Sequence, residues 1–409
     1  MALNFIWAAF FIIAFVVALV KVVFFGDMNV FSDMLGSAFS MAEKSVSISI
    51  YLIGAMTLWL GILKVGEKGG AVNILTRIVR PLFRKLFPDV PREHPAMGSM
   101  LMNICATMLG LESAATPMGL KAMNELQEIN TNKEKASNSQ IMYFIFVVTG
   151  FMLLPVNIIA LRAANGSVSP GDVMIPLVIT TFVAALSGVL IVAAIQKINI
   201  FSKTILAYLV SFIALFGVIL WGIHSMSDAH REIVNRFASS FLIISFILFF
   251  LTLAVFRKIN VFETFIEGAK DGFQTAIKLI PYLLAMLVGI GVFRASGAMD
   301  ILINGIVTVL IWFGLPTNFT EALPVALMKP FSGNGARGLM VETMQKNGAD
   351  SFTGHLASLF QGATDTTFYV LALYFGAVNI KNTRYALGVA LIADLIGIIA
   401  AIVLANMFF

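Results

Sequence analysis

Apolar runs about as long as a bilayer is thick recur along this chain and leave it few folds. The first, ALNFIWAAFFIIAFVVALVKVVFF at residues 2–25, has Lys21 as its one charge. About 20 apolar residues cross a hydrocarbon core ~30 Å thick as an α-helix, which rises about 1.5 Å per residue. Comparable runs at 46–64, 138–162, 172–195, 203–222, 233–256, 277–294, 352–378 and 384–407 predict an all-α polytopic membrane protein. Charged residues make up 12% of the chain, about half the ~25% of soluble domains, which decides against a soluble fold. The net charge of +5 therefore bears on topology and lipid contact, not on nucleic acid. Cys105 stands alone, so an intrachain disulfide and a Cys-based metal cluster are excluded. The N-terminal run lacks a basic leader and a small-residue cleavage site, and reads as a retained first helix.

Shorter segments depart from simple spans. Residues 30–44, 261–275 and 70–86 mix charges with apolar positions and predict helices lying in the membrane interface. Residues 299–314 are more apolar and fit either an interfacial helix or a crossing. Residues 96–129 carry Gly98, Gly110, Pro117 and Gly119, and residues 320–346 carry Pro324, Pro330, Gly333, Gly335 and Gly338. Each is long enough for two half-helices, and irregular backbone at membrane depth survives only where protein or a watery cavity satisfies it. Both read as re-entrant helical hairpins.

The chain also repeats itself. VFSDMLGSAFSMAEKSVSISIYLIGAM (30–56) aligns without gaps on VFETFIEGAKDGFQTAIKLIPYLLAML (261–287), and further on Gly150 falls on Gly362. Each copy continues as span, amphipathic stretch, hairpin, interrupted span and final span. One threading makes Arg77, Arg80, Arg84, Lys85, Lys133, Lys135, Lys197, Lys203, Arg257, Lys258, Lys381 and Arg384 all cytoplasmic. The repeats are then inverted, about 30–196 and 258–409, with two linking helices in 197–257. Inverted repeats with broken helices are a pattern of secondary transporters.

Polar residues inside these segments are the candidate ligands. LFQGATDTTFYVLALYFG (359–376) places Gln361, Thr364, Asp365, Thr366 and Thr367 in the middle of an apolar run. An intramembrane acid costs at least ~2.5 kcal/mol on insertion scales and normally faces a cavity or a partner. Asp365 is read as binding a cation, a proton or a polar solute; the plainer alternative is neutralisation by Lys329 or Arg337. The stretch 327–340 contains G-x-G-x-x-G, but a membrane hairpin is not the βαβ unit a dinucleotide requires. Ser332, Asn334 and Arg337 are its candidate contacts. The first hairpin offers Asn103, Glu112, Ser113 and Thr116, and the first interrupted span offers Asn157 beside Pro155. The alternative for the hydroxyls is a bond back to their own helix. The four histidines lack metal-ligand spacing, and no nucleophile–base pair or Walker motif is visible, so no catalytic residue, metal or cofactor is expected.

At these motifs the chain resembles known families. Residues 1–196 resemble spore maturation protein A through WLGILKVGEKGG (59–70), PLFRKLFPDVPREHPAMG (81–98) and LGLESAATPMGLKAM (109–123). Residues 203–409 resemble spore maturation protein B through ASGAMDILI (295–303), KPFSGNGARGLM (329–340), DSFTGHLASLFQGATDTTFYVLALYFG (350–376) and KNTRYAL (381–387). The chain looks like the two proteins fused. The resemblance implies a nucleoside-recognition or gate domain, similar to repeats in ferrous-iron and dipicolinate transport proteins. By analogy it implies a fold like the concentrative nucleoside transporters, whose substrate sits between two hairpins and two broken helices. It also implies a role in spore core dehydration. Two departures are visible: Arg337 stands where the family pattern carries a small or apolar residue, and VVTGFMLLPV is less polar than its family counterpart.

The expectation is a non-enzymatic, multi-pass protein of the bacterial cytoplasmic membrane, moving a small polar or anionic solute with H⁺ or Na⁺ coupling. A non-transporting scaffold of envelope or spore maturation is the alternative. Partners expected are the solute or ion and the lipid bilayer; self-association is allowed and nucleic acid is not.

Overall fold

The computed structural model describes the backbone of residues 2–91, 93–314 and 316–409, with side chains throughout except at 2–4, 112–114 and 228–229. Among the described residues the chain is all-helical, its one β-type pairing a single bridge between Lys135 and Asn382. The helices are α1 (Ala2–Phe25), α2 (Val30–Lys68), α3 (Ala71–Leu86), α4 (Pro95–Met108), α5 (Glu112–Glu128), α6 (Asn138–Thr149), α7 (Val156–Ala164), α8 (Met174–Ile195) and α9 (Lys203–His224). They continue as α10 (Asp228–Phe256), α11 (Val261–Ala295), α12 (Ala298–Trp312), α13 (Leu323–Met328), α14 (Gly333–Asn347), α15 (Phe352–Gly362), α16 (Thr367–Ala377) and α17 (Ala386–Phe408). Among the described residues, seven of them (α1, α2, α8, α9, α10, α11 and α17) are long and apolar enough to cross a membrane. The protein is a multi-pass membrane protein.

The longest pair, α2 and α11, corrects one expectation. Residues 30–44 and 261–275 are not separate interfacial helices; each runs unbroken into the span that follows. No helix breaker separates the pieces at 45 or at 276, so propensity carries the helix through. The two pack antiparallel along their length. A side chain at Gly268 would strike Lys64 and Gly61, one at Gly272 would strike Met56 and Thr57, and one at Gly291 would strike Met41. Of the charges taken as marks of an interface, Glu267 pairs across this seam instead, with Lys68 and Lys64 of α2. At 39 and 35 residues the two are roughly 58 and 52 Å long. Both outrun the ~30 Å hydrocarbon core, so they tilt or project.

Two spans expected to be interrupted are broken. The first stops at Thr149 and resumes at Val156; the second stops at Gly362 and resumes at Thr367. In the first break Gly150 closes α6 at φ +50° and Pro155 precedes α7. Ser137 and Gln140 form a capping box at the start of α6, and Ser351 caps α15. Helical hairpins α4–α5 and α13–α14 touch the breaks. The Leu153 N–H donates to the Met108 carbonyl at 2.8 Å, and the Phe368 N–H to the Pro330 carbonyl at 3.0 Å.

The contacts sort the loops into two ends. At one end the loop before α6 meets the loop before α17: Lys381 pairs with Glu134, and Arg384 donates to Asn138 at 2.9 Å. Gln196 reaches Asn138 and Tyr385 there, Gly70 abuts Arg257, and Tyr208 bonds the Ile78 carbonyl. At the other end the loop after α7 meets the loop before α15. One buried core joins α2, α11, α14 and α15 through Leu52, Leu287, Met340 and Phe360. A second joins α4, α6 and α16 through Met100, Phe144 and Phe375.

Candidate functional site

Between these cores lies a cavity of about 240 Å³ whose walls come from α4, α5, both breaks, α14 and α16. Its polar lining includes Asn103, Thr116, Asn157, Arg337, Gln361 and Asp365, with Thr107, Thr364, Lys329, Tyr369 and Tyr374 beside them. Residues from both halves of the chain thus meet around one space.

Asp365 sits in the second break. Its own N–H donates to the Val148 carbonyl at the end of α6, 2.7 Å away, so the two breaks are tied to each other. The carboxylate accepts the Thr366 N–H at 2.7 Å, its one side-chain bond among the described residues, and the residue is exposed to the cavity. Gly150 lies against Asp365 at this point, and it is its φ of +50°, not crowding, that suits a glycine there. A carboxylate with lone pairs turned to an open polar space can take a cation, a proton or a solute donor. Lys329 and Arg337 bring cationic groups to the same walls, and the Arg337 guanidinium donates to Asn334 at 3.2 Å. Gln361 donates to the Gly333 carbonyl at 3.4 Å, which ties the end of α15 to the start of α14.

Asn103 is more committed. Its amide donates to the Ala115 carbonyl at 2.7 Å and accepts from the Tyr143 hydroxyl at 2.8 Å, with Tyr374 at 3.5 Å. It holds α4, α5, α6 and α16 together while facing the cavity. The Tyr374 hydroxyl fills the place a side chain at Gly119 would take.

Other expected ligands lie apart from the cavity lining. Thr367 donates to Asp394 on α17 at 2.6 Å, and Thr366 packs its hydroxyl against Gly333. Ser332 accepts the Gly335 N–H at 3.0 Å as the cap of α14. Asn334 lines a small neighbouring pocket with Asn157 and Arg337. The glycines of the G-x-G-x-x-G run do not form the tip: they begin α14, where Gly338 admits Met286 and Gly333 admits Thr366. The tip is 329–332. The second half-helix of the first hairpin begins at Glu112, ahead of Pro117, which lies within it. The side chains of Glu112 and Ser113 lie outside the described residues.

Three acids and an arginine were not singled out from the sequence. Asp394 is buried in the last span, and among the described residues one of its oxygens makes no hydrogen bond. Its signal was plain, an acid within ALIADLIGII, and the rule applied to Asp365 should have found it. Arg162, in the last turn of α7, is fully buried and donates to Asp172 and Asp350, both at 3.0 Å, and to the Ala349 carbonyl at 2.7 Å. His355 approaches Asp172 at 3.0 Å. Asp172, Asp350 and His355 hold ligand atoms within 4.8 Å of one another, but the guanidinium already spans the two carboxylates. The cluster reads as an ion-pair lock between the α7–α8 and α14–α15 loops.

Residues 49–196 and 276–381 match the family described as nucleoside recognition (Gate). The chain is 46% identical over 153 residues to spore maturation protein B of Bacillus subtilis (strain 168), covering 37% of this chain and 84% of that protein. It is 34% identical over 188 residues to spore maturation protein A of the same organism, covering 46% of this chain and 92% of that protein. The two matches together fit a fused arrangement of both. No solved structure matches the chain.

Proposed function

Because the chain belongs to the nucleoside recognition (Gate) family, we propose that it is a gated permease of the bacterial cytoplasmic membrane for a small polar solute. One observation carries the reading: Asp365 is exposed in a cavity built from both broken spans and both hairpins. A purely structural acid at this depth would be paired and dry, because an isolated charge in hydrocarbon is too costly. In this reading Asp365 takes a hydrogen-bond donor or coupling cation. Lys329 and Arg337 take an acceptor or anionic group, and Asn157, Gln361 and Thr116 orient the rest. The half-helices meeting at the breaks supply backbone groups for the same purpose. The repeats are inverted in this proposal, the hairpins are re-entrant from opposite faces, and alternating access moves one set against the other. Coupling to H⁺ or Na⁺ would run through Asp365.

Thermal unfolding of the purified chain with a panel of nucleosides, dicarboxylates and monovalent or divalent cations tests the binding step, since a ligand of the folded state raises Tm. The expected result is a concentration-dependent rise with one solute class that Asp365→Asn abolishes while leaving the unliganded Tm unchanged. No rise across the panel, or an undiminished rise in the variant, would overturn the assignment. A non-transporting scaffold or regulator of spore maturation is the second reading, favoured by the names of both relatives.

A further inference from the structure

A second cavity, of about 230 Å³, lies beside the polar one and has an almost wholly apolar lining. It runs between α3, α6, α8 and α9, and shares Thr107 and Val147 with the polar cavity as a common wall. Its long wall on α8 extends from Ala193 to Phe182, roughly 16 Å at 1.5 Å per residue. That is about half the ~30 Å hydrocarbon core, the depth of one leaflet. The slot begins at Ile200 and Ile205, at the basic end of the bundle, and ends against Phe182 and Phe212.

The roof is α3. Leu75, Ile78, Val79, Leu82, Phe83 and Leu86 fall on one side of this helix and all line the slot. Arg77, Arg80, Arg84 and Lys85 fall on the other side, exposed. The Tyr208 hydroxyl bonds the Ile78 carbonyl and fastens the roof to α9. An amphipathic helix with this division lies in the plane of the headgroups, its cations among the phosphates. Each such cation attracts anionic lipid by an amount that adds over the cluster.

We infer that this slot is a binding site for one anionic phospholipid of the leaflet facing α3. One acyl chain occupies the apolar slot, and the headgroup phosphate is held by the arginines of α3. The lipid then packs against Thr107 and Val147, the wall of the polar cavity.

The test uses the full chain in mixed micelles of defined composition. Thermal unfolding is followed with dioleoylphosphatidylglycerol, with dioleoylphosphatidylcholine, and with inorganic phosphate alone. Phosphatidylglycerol is expected to raise Tm at concentrations where the other two do not. Arg80→Gln with Arg84→Gln, both on the exposed face, should weaken this response roughly thirtyfold, the effect of removing two headgroup cations. Ala185→Phe fills the slot and should abolish the rise in Tm with phosphatidylglycerol while leaving the arginines in place. Equal stabilisation by both lipids would mean generic filling of an apolar gap and would overturn the inference. Stabilisation by phosphate alone, or an unchanged response in the double variant, would overturn it as well.

Discussion

Asp365 and Asp394 stand close in space and differ in what surrounds them. Asp394 is buried against the Thr367 hydroxyl, whereas Asp365 opens onto a polar cavity. The threonine run that looked like one ligand set is therefore divided. Thr364 faces the cavity, Thr367 serves Asp394, and Thr366 contacts the hairpin at Gly333. Arg162 shows the opposite situation, a cation with carboxylates on two loops. Removing it leaves Asp172 and Asp350 without their shared cation. Arg162→Gln is expected to cost about 3–5 kcal/mol, read as a large fall in Tm; a loss under ~1 kcal/mol would show that the lock carries little stability. Asp350 adds a pH signature. Burial pushes its carboxyl up, but the Ser167 hydroxyl, the Val168 N–H and Arg162 together hold it below the usual carboxylate range. Its folded pKa thus lies under the unfolded value of about 3.9. The stability it contributes is full above about pH 4 and is lost as pH falls through the folded pKa. Asp350→Asn should flatten the decline in Tm between about pH 5 and pH 3; parallel declines would contradict this.

Among the elements, the spans were legible in the sequence because a crossing helix announces itself by unbroken apolar length. The breaks at 150–155 and 363–366 were legible too, since Gly150, Pro155, Gly362 and Asp365 interrupt that length. The continuity of α2 and α11 was not, because charges paired across a helix seam look the same in sequence as charges facing water. Close approach is what their glycines permit. Gly272→Leu should lower stability by about 1–3 kcal/mol through overpacking against Met56 and Thr57, while Gly305→Ala, within α12 and meeting nothing within 4 Å, should not lower Tm. Partners distant in sequence were equally invisible: nothing in the sequence pairs Gly119 with Tyr374. Gly119→Ala should displace that hydroxyl and destabilise the hairpin, and Tyr374→Phe should recover part of the loss. A double-mutant cycle measures the coupling, and strictly additive effects would dismiss the contact.

Over the whole molecule, basic loops collect at one end and the Arg162 lock lies at the other. The threading that puts those basic loops in the cytoplasm places Lys133 and Val168 on opposite faces of the membrane. In a Cys105→Ser background, Lys133→Cys and Val168→Cys should be labelled by an impermeant maleimide from opposite sides; labelling from one side would refute the threading. The cavity lies between these ends, walled by segments from both halves. The most direct test of a permease is movement of solute. Proteoliposomes holding the purified chain are compared with empty liposomes for uptake of radiolabelled nucleosides and dicarboxylates, using wild type and Asp365→Asn. The account predicts uptake of at least one solute by the wild type and its loss in the variant, with both proteins folded and equally reconstituted. Equal uptake by the two, or none above empty liposomes, would contradict it.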